Sequence, residues 1–126
     1  MEPTMTTINT LPVKNAWPPV MPSSLEKPMY AIAFDMDIES LRENYGDPYN
    51  NAYVEIRKVL QRHGFNWQQG SVYFGGEAIN AVTCVVAAID LAKQLPWFSA
   101  PVRDIRMLRI EEMNDLMPAI QQAHNP

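Results

Sequence analysis

The strict alternation of residues 29–37, Met-Tyr-Ala-Ile-Ala-Phe-Asp-Met-Asp, commits this part of the chain to a β-strand. A side-chain period of two places successive residues on opposite faces of a sheet. Tyr30, Ile32, Phe34 and Met36 make a bulky face, and Met29, Ala31, Ala33 and Asp35 make the other. Asp35 therefore points away from the core side. The alanines beside it leave a shallow surface, open to a second sheet, a second subunit or a substrate backbone.

The remaining elements follow from periodicity and from breakers. Ile38 to Tyr45 predicts a short helical turn, and Gly46-Asp47-Pro48 then supplies a break, an N-cap and a proline suited to a first helical position. Tyr49, Ala52, Tyr53, Ile56, Val59, Leu60 and His63 recur at helical spacing, and Gly64 is placed to end that helix in a left-handed cap. His63, in the last turn, suits the helix dipole. Phe65–Gln68 and Ser71–Phe74 read as two short strands, or one bent strand, interrupted near Gln69-Gly70, with Val72 and Phe74 on one face and Ser71 and Tyr73 on the other. Ala78 to Leu95 forms an almost wholly apolar helix that requires extensive cover, and Val102 to Ile110 supplies a last strand before an acidic C-terminal segment.

Strand, helix, two strands, helix, strand is the βαββαβ plan. It predicts an α+β, ferredoxin-like sandwich with an antiparallel sheet, helices on one face, and the opposite face covered by a second copy, a homodimer. The plan hosts metabolite-binding, RNA-binding and nuclease domains alike, so function must come from the site.

The chain of 126 residues, 47% hydrophobic, suits one core. Residues 1–28 carry six of the eleven prolines and no sustained periodicity, which predicts a proline-rich, mobile extension before a domain at 29–117 and a tail at 118–126. No run of 18 apolar residues and no basic segment followed by an apolar core is present, so a cytoplasmic protein is expected. The lone cysteine, Cys84, lies within an apolar helical run and reads as a buried structural thiol.

The net charge of −4 argues against a broadly basic surface, yet Asp35 to Glu55 holds six acids and one arginine, whereas Arg57 to Arg109 holds seven Lys or Arg against three acids. Any polyanion contact must be local. A carboxylate ending the first strand, facing the arginine-rich Pro101–Glu112 segment, can hold and hydrolyse a phosphodiester. Arg103, Arg106 and Arg109 cannot all share a face of a regular strand, since Arg106 falls opposite the other two. Arg106 suits a neighbouring acid, and Arg103 or Arg109 a phosphate. Ser71 and Tyr73 are candidates to share the face of Asp35 and position a substrate. Tyr30, Trp67, Tyr73 and Trp97 are able to stack bases but more often fill a core or interface. No P-loop, dinucleotide-binding glycine pattern, Ser-His-Asp order or metal-ligand cluster is apparent.

Three segments in order, MYAIAFDMD, GFNWQQGSVYF and LPWFSAPVRDIRMLRIEE, make the chain from Met29 to Asp115 resemble the virulence-associated protein D family, VapD. That family is similar in fold to the small CRISPR-associated adaptation nucleases. The resemblance implies ferredoxin-like homodimers and endoribonuclease activity, in some members as a toxin encoded with an antitoxin. It also implies that the acid ending the first strand, here Asp35, carries the activity, with Asp37 as the weaker candidate. The proline-rich extension, the glycine-rich connection after Tyr73, Pro101 and Met107-Leu108 depart from the family pattern.

Two mechanisms use Asp35 differently. It could hold a divalent cation such as magnesium that activates water, leaving a 5′-phosphate, or two copies of it could meet across a dimer and act as base and acid on the ribose 2′-hydroxyl. The competing reading is a non-catalytic RNA-binding or regulatory dimeric scaffold.

Overall fold

The computed structural model describes residues 24–124, so most of the extension expected at 1–28 lies outside the described residues. The elements are β1 (Ser24–Met36), α1 (Ile38–Tyr45), α2 (Asn50–Arg62), β2 (Phe65–Gln69), β3 (Val72–Gly75), α3 (Ala81–Gln94), β4 (Val102–Glu112) and α4 (Met117–His124). β1 begins at Ser24, before the alternation that announces it. Lys27–Ile110 form one compact unit, and α4 belongs to a second. In that second unit, the Met117 amide donates to Asp115 Oδ1 at 2.9 Å, and none of the α4 side chains is buried.

The four strands form one sheet in the order β2-β3-β1-β4. β3 runs antiparallel to both β1 and β2, pairing Ile32 with Tyr73, Ala33 with Val72 and Trp67 with Tyr73. Directly paired residues share a face. The bulky face of β1 is accordingly the core face: Ile32, Phe34, Met36 and Tyr73 bury themselves against Ala52, Ile56, Val59 and Leu60 of α2 and Cys84, Ala87 and Leu91 of α3. Burial holds the Cys84 thiol above its ordinary pKa, in keeping with an inert side chain.

Local chemistry sets the boundaries. Asp37 caps α1, its carboxylate accepting from the Glu39 amide at 3.2 Å. Helix α2 starts at Asn50, later than the Asp47-Pro48 signal predicts, with Tyr49 as a cap that makes no side-chain hydrogen bond. Asp47 instead lies 3.6 Å from Arg42 Nε. Gly64 follows α2 at φ +92°, the left-handed conformation that terminates it. α3 starts at Ala81 rather than Ala78, because Asn80 and Thr83 form a reciprocal capping box. At Gly75 a Cβ would fall 2.7 Å from Ile79, so only glycine admits that side chain against the strand end.

The extensive cover expected for α3 is not supplied by the described residues. Cys84, Ala87 and Leu91 are buried, but Val82, Val85, Val86 and Ile89 are exposed. An apolar groove of about 240 Å³, lined by Cys84, Val85, Ile89, Ile105 and Met107 among others, runs between α3 and β4.

The end of α2 is tied to α3 through His63, whose Nε2 lies 2.7 Å from Asp90 Oδ2. This hydrogen bond holds the Asp90 carboxyl below its usual pKa, against partial burial and with help from Gln94. A depressed carboxylate stabilises the fold above the ordinary carboxylate range and loses that contribution as pH falls through its folded value. Asp90→Asn should therefore be less stable than wild type at neutral pH, with the gap closing on acidification. Urea midpoints measured across a pH series check this; a gap that stays constant into acid would refute it.

Candidate functional site

The C-terminal end of β1, the start of β4 and the turn before β3 converge, and the chain itself enforces the convergence. The Asp37 amide donates to the Pro101 carbonyl at 2.8 Å, and the Phe34 amide to the Ser71 carbonyl at 3.1 Å. These bonds pin both flanks of Asp35. On the core side, Phe34 stacks on Tyr73 at 6.2 Å and meets Phe98 edge-on at 6.1 Å, so the backbone carrying Asp35 rests on a packed aromatic layer.

Asp35 projects to solvent, 64% exposed, with its Oδ2 3.3 Å from Nη2 of Arg103, itself 62% exposed. An ion pair this open contributes about 0–1 kcal/mol, too little to account for fold stability. It leaves an acceptor and a guanidinium fork side by side in water, able to receive a phosphodiester together. Among the described residues, no three His, Cys, Asp or Glu side chains gather as metal ligands. A single carboxylate nonetheless suits magnesium, which keeps much of its water shell and takes few protein ligands.

The other sequence candidates separate. Asp37 is engaged as the α1 cap. Ser71 lies in the turn before β3, beside the end of β1, with its carbonyl committed to Phe34. Tyr73, expected beside Asp35, is instead in the core at 2% exposure. The register explains the correction: Tyr73 pairs with Ile32, whereas Val72 and Phe74 pair with Ala33 and Ala31 on the Asp35 face. Arg106 is engaged with Asp104, its Nε donating to both carboxylate oxygens at 3.0 and 3.1 Å. Arg109 lies further along β4 and is exposed.

Strict alternation does not hold along β4. Val102 and Ile105 both pack on the core although an odd step separates them, and Arg103, next to Val102, lies on the other side and reaches Asp35.

Sequence reasoning missed Tyr53 as a neighbour of this site, with Tyr49 and then Arg42 beyond it. The Tyr53 hydroxyl is raised in pKa by burial first, then by Tyr49 and by the charge of Asp35, which puts it within electrostatic reach of that carboxylate. Arg42 lies 5.1 Å over the Tyr49 ring. The helical spacing of Tyr49 and Tyr53 was visible, but it reads equally as core.

Residues 28–117 match the family model described as CRISPR associated protein Cas2. The chain is 58% identical over 93 residues to an endoribonuclease VapD homolog of Helicobacter pylori, an alignment covering 74% of this chain and 97% of that protein. It is 55% identical over 93 residues to endoribonuclease VapD 2 of Riemerella anatipestifer, covering 73% and 99% respectively. Endoribonuclease VapD of Dichelobacter nodosus is 44% identical over 95 residues, covering 75% and 100%.

Proposed function

This chain belongs to the VapD family, with a Cas2-type fold, and from that premise we propose that it is an endoribonuclease whose cleavage centre is Asp35 beside Arg103. The observation that carries the proposal is the exposed carboxylate–guanidinium pair at 3.3 Å, where the ends of β1 and β4 are pinned together. Arg103 binds the scissile phosphate through its planar fork and offsets the charge that grows on it during attack. Asp35 takes the proton from the attacking hydroxyl. Magnesium held on Asp35 would supply a more acidic bound water and neutralise the phosphate.

The finer reading, a homodimeric toxin held by an antitoxin, follows the resemblance. A dimer is supported by the apolar surface a lone protomer leaves in water, Val82, Val85, Val86 and Ile89 on α3 with Met107 and Leu108 on β4. No described helix is long and apolar enough to cross a membrane.

The test is cleavage of end-labelled RNA by purified protein, with magnesium and with chelator, followed by identification of the product ends. Cleavage that needs magnesium and leaves 5′-phosphates assigns attack to water. Chelator-resistant cleavage leaving 2′,3′-cyclic phosphates assigns it to the ribose 2′-hydroxyl. A folded protein that binds RNA but cuts none would move the assignment to an RNA-binding scaffold.

A further inference from the structure

Trp67 lies on β2, an edge strand, and its indole is 44% exposed, yet it is held on two sides. Its Nε1 donates to the Gly70 carbonyl at 2.8 Å, which fixes the ring plane. The Arg57 guanidinium of α2 covers one face, with its central carbon 4.3 Å from the ring centroid.

Arg57 is itself constrained. It lies close enough to the Tyr73 hydroxyl to oppose the burial that raises that group's pKa, and its own Nε is buried without a hydrogen-bond partner. An Arg set this way serves poorly as a solvated surface charge. It serves well as a rigid positive support beneath an aromatic ring.

The surroundings agree with a polyanion. From Arg57 to Arg62, α2 carries Arg57, Lys58 and Arg62 with no acid between them, in a chain whose net charge is −4. Beside Trp67, β2 exposes Asn66, Gln68 and Gln69, amides that offer donors and acceptors to base edges. Gln68 sits in a register irregularity between Trp67 and Gln69, which re-aims the strand at this point. Pairing places Trp67 level with Tyr73 and Ile32 on the helix-covered face of the sheet, opposite the face of Asp35 and roughly 14 Å from it along the sheet, so an RNA that reaches both must pass round the sheet.

We propose that Trp67, clamped under Arg57, is a stacking subsite for one unpaired base of a single-stranded RNA, with Lys58 and Arg62 contacting the adjacent phosphates. The proposal rests on the endoribonuclease reading and adds to it a site, remote from Asp35, that holds the substrate. Stacking tolerates any base, so the subsite contributes affinity rather than sequence preference.

Affinity for a short single-stranded 2′-O-methyl oligonucleotide, read by fluorescence anisotropy with the full chain, tests it. Trp67→Ala should raise Kd about tenfold while Trp67→Phe, which keeps a ring, stays within about threefold of wild type. Moving one abasic nucleotide along the probe should find a position that weakens wild-type binding and leaves Trp67→Ala binding unchanged. A folded Trp67→Ala protein with wild-type Kd overturns the proposal. If that variant does not fold, the abasic series on wild type decides, and the proposal falls when no position matters. Wild type that cuts RNA, with a Trp67→Ala variant of unchanged KM and Kd, sinks the subsite and leaves the nuclease reading standing. Wild type that neither cuts nor binds RNA sinks both.

Discussion

Asp35→Asn should abolish RNA cleavage, lowering the rate by about 10²–10⁴-fold, while leaving stability within about 1 kcal/mol of wild type. The substitution is nearly isosteric. It removes the proton acceptor and the negative charge, but the side chain is largely in water, and its one ion pair, with Arg103, is exposed on both sides. No packing depends on it. The same logic separates binding from catalysis: the neutral Asn removes repulsion of the phosphodiester, so RNA affinity should hold or rise slightly. Arg103→Lys keeps the charge but loses the planar fork, and should show a smaller defect than Arg103→Ala. Initial rates on labelled RNA, anisotropy binding and urea denaturation of the same preparations check these statements together. Full cleavage by a folded Asp35→Asn protein would remove Asp35 from the reaction.

One position earlier the expectation reverses. Phe34→Ala should destabilise the protein by about 3–5 kcal/mol, a large share of the total stability of a domain this size. Phe34 is 7% exposed and sits between Tyr73 and Phe98, in near-parallel contact with one ring and edge-on contact with the other. Truncation forfeits the burial of the ring and leaves a cavity that the sheet backbone, pinned at Ser71 and Pro101, cannot readily close. Phe34→Leu, which refills most of the volume, should lose much less. Cleavage by Phe34→Ala should fall as the folded fraction falls and recover where stabilising conditions restore it. Denaturation midpoints fitted alongside activity at several temperatures measure both. A loss under about 1 kcal/mol would mean that the aromatic layer does not carry the end of β1.

The contrast between these adjacent residues was legible in the sequence. A period of two is a local property, so the outward face of Asp35 and the inward face of Phe34 could be assigned from nine residues, 29–37. The helix ends were legible for the same reason where the signal was short-range, as with Gly64 after α2 and the break at Gly46. They were misplaced where two local signals competed. Asp47-Pro48 looked like a helix start, but Asp47 faces Arg42 and the helix begins at Asn50.

Pairing between strands was not legible, and much of the site depends on it. The sequence alone determined the order of elements from β1 to β4, which face of β1 is buried, and that an exposed carboxylate ends it, whereas the helix α4 was read only as a tail. Only the tertiary structure decided that Tyr73 enters the core, since its face is set by register with Ile32 rather than by proximity in the chain. That Arg106 finds a neighbouring acid, Asp104, was already legible in their two-residue spacing. The structure likewise decided that Arg103 lies against Asp35, which depends on how β4 is placed beside β1. Arg57 finding the Trp67 ring is a contact of the same kind, made between a helix and an edge strand. Side-chain periodicity reports the conformation of one segment, whereas register, irregularities in a strand and helix-to-strand contacts arise from the packing of several at once.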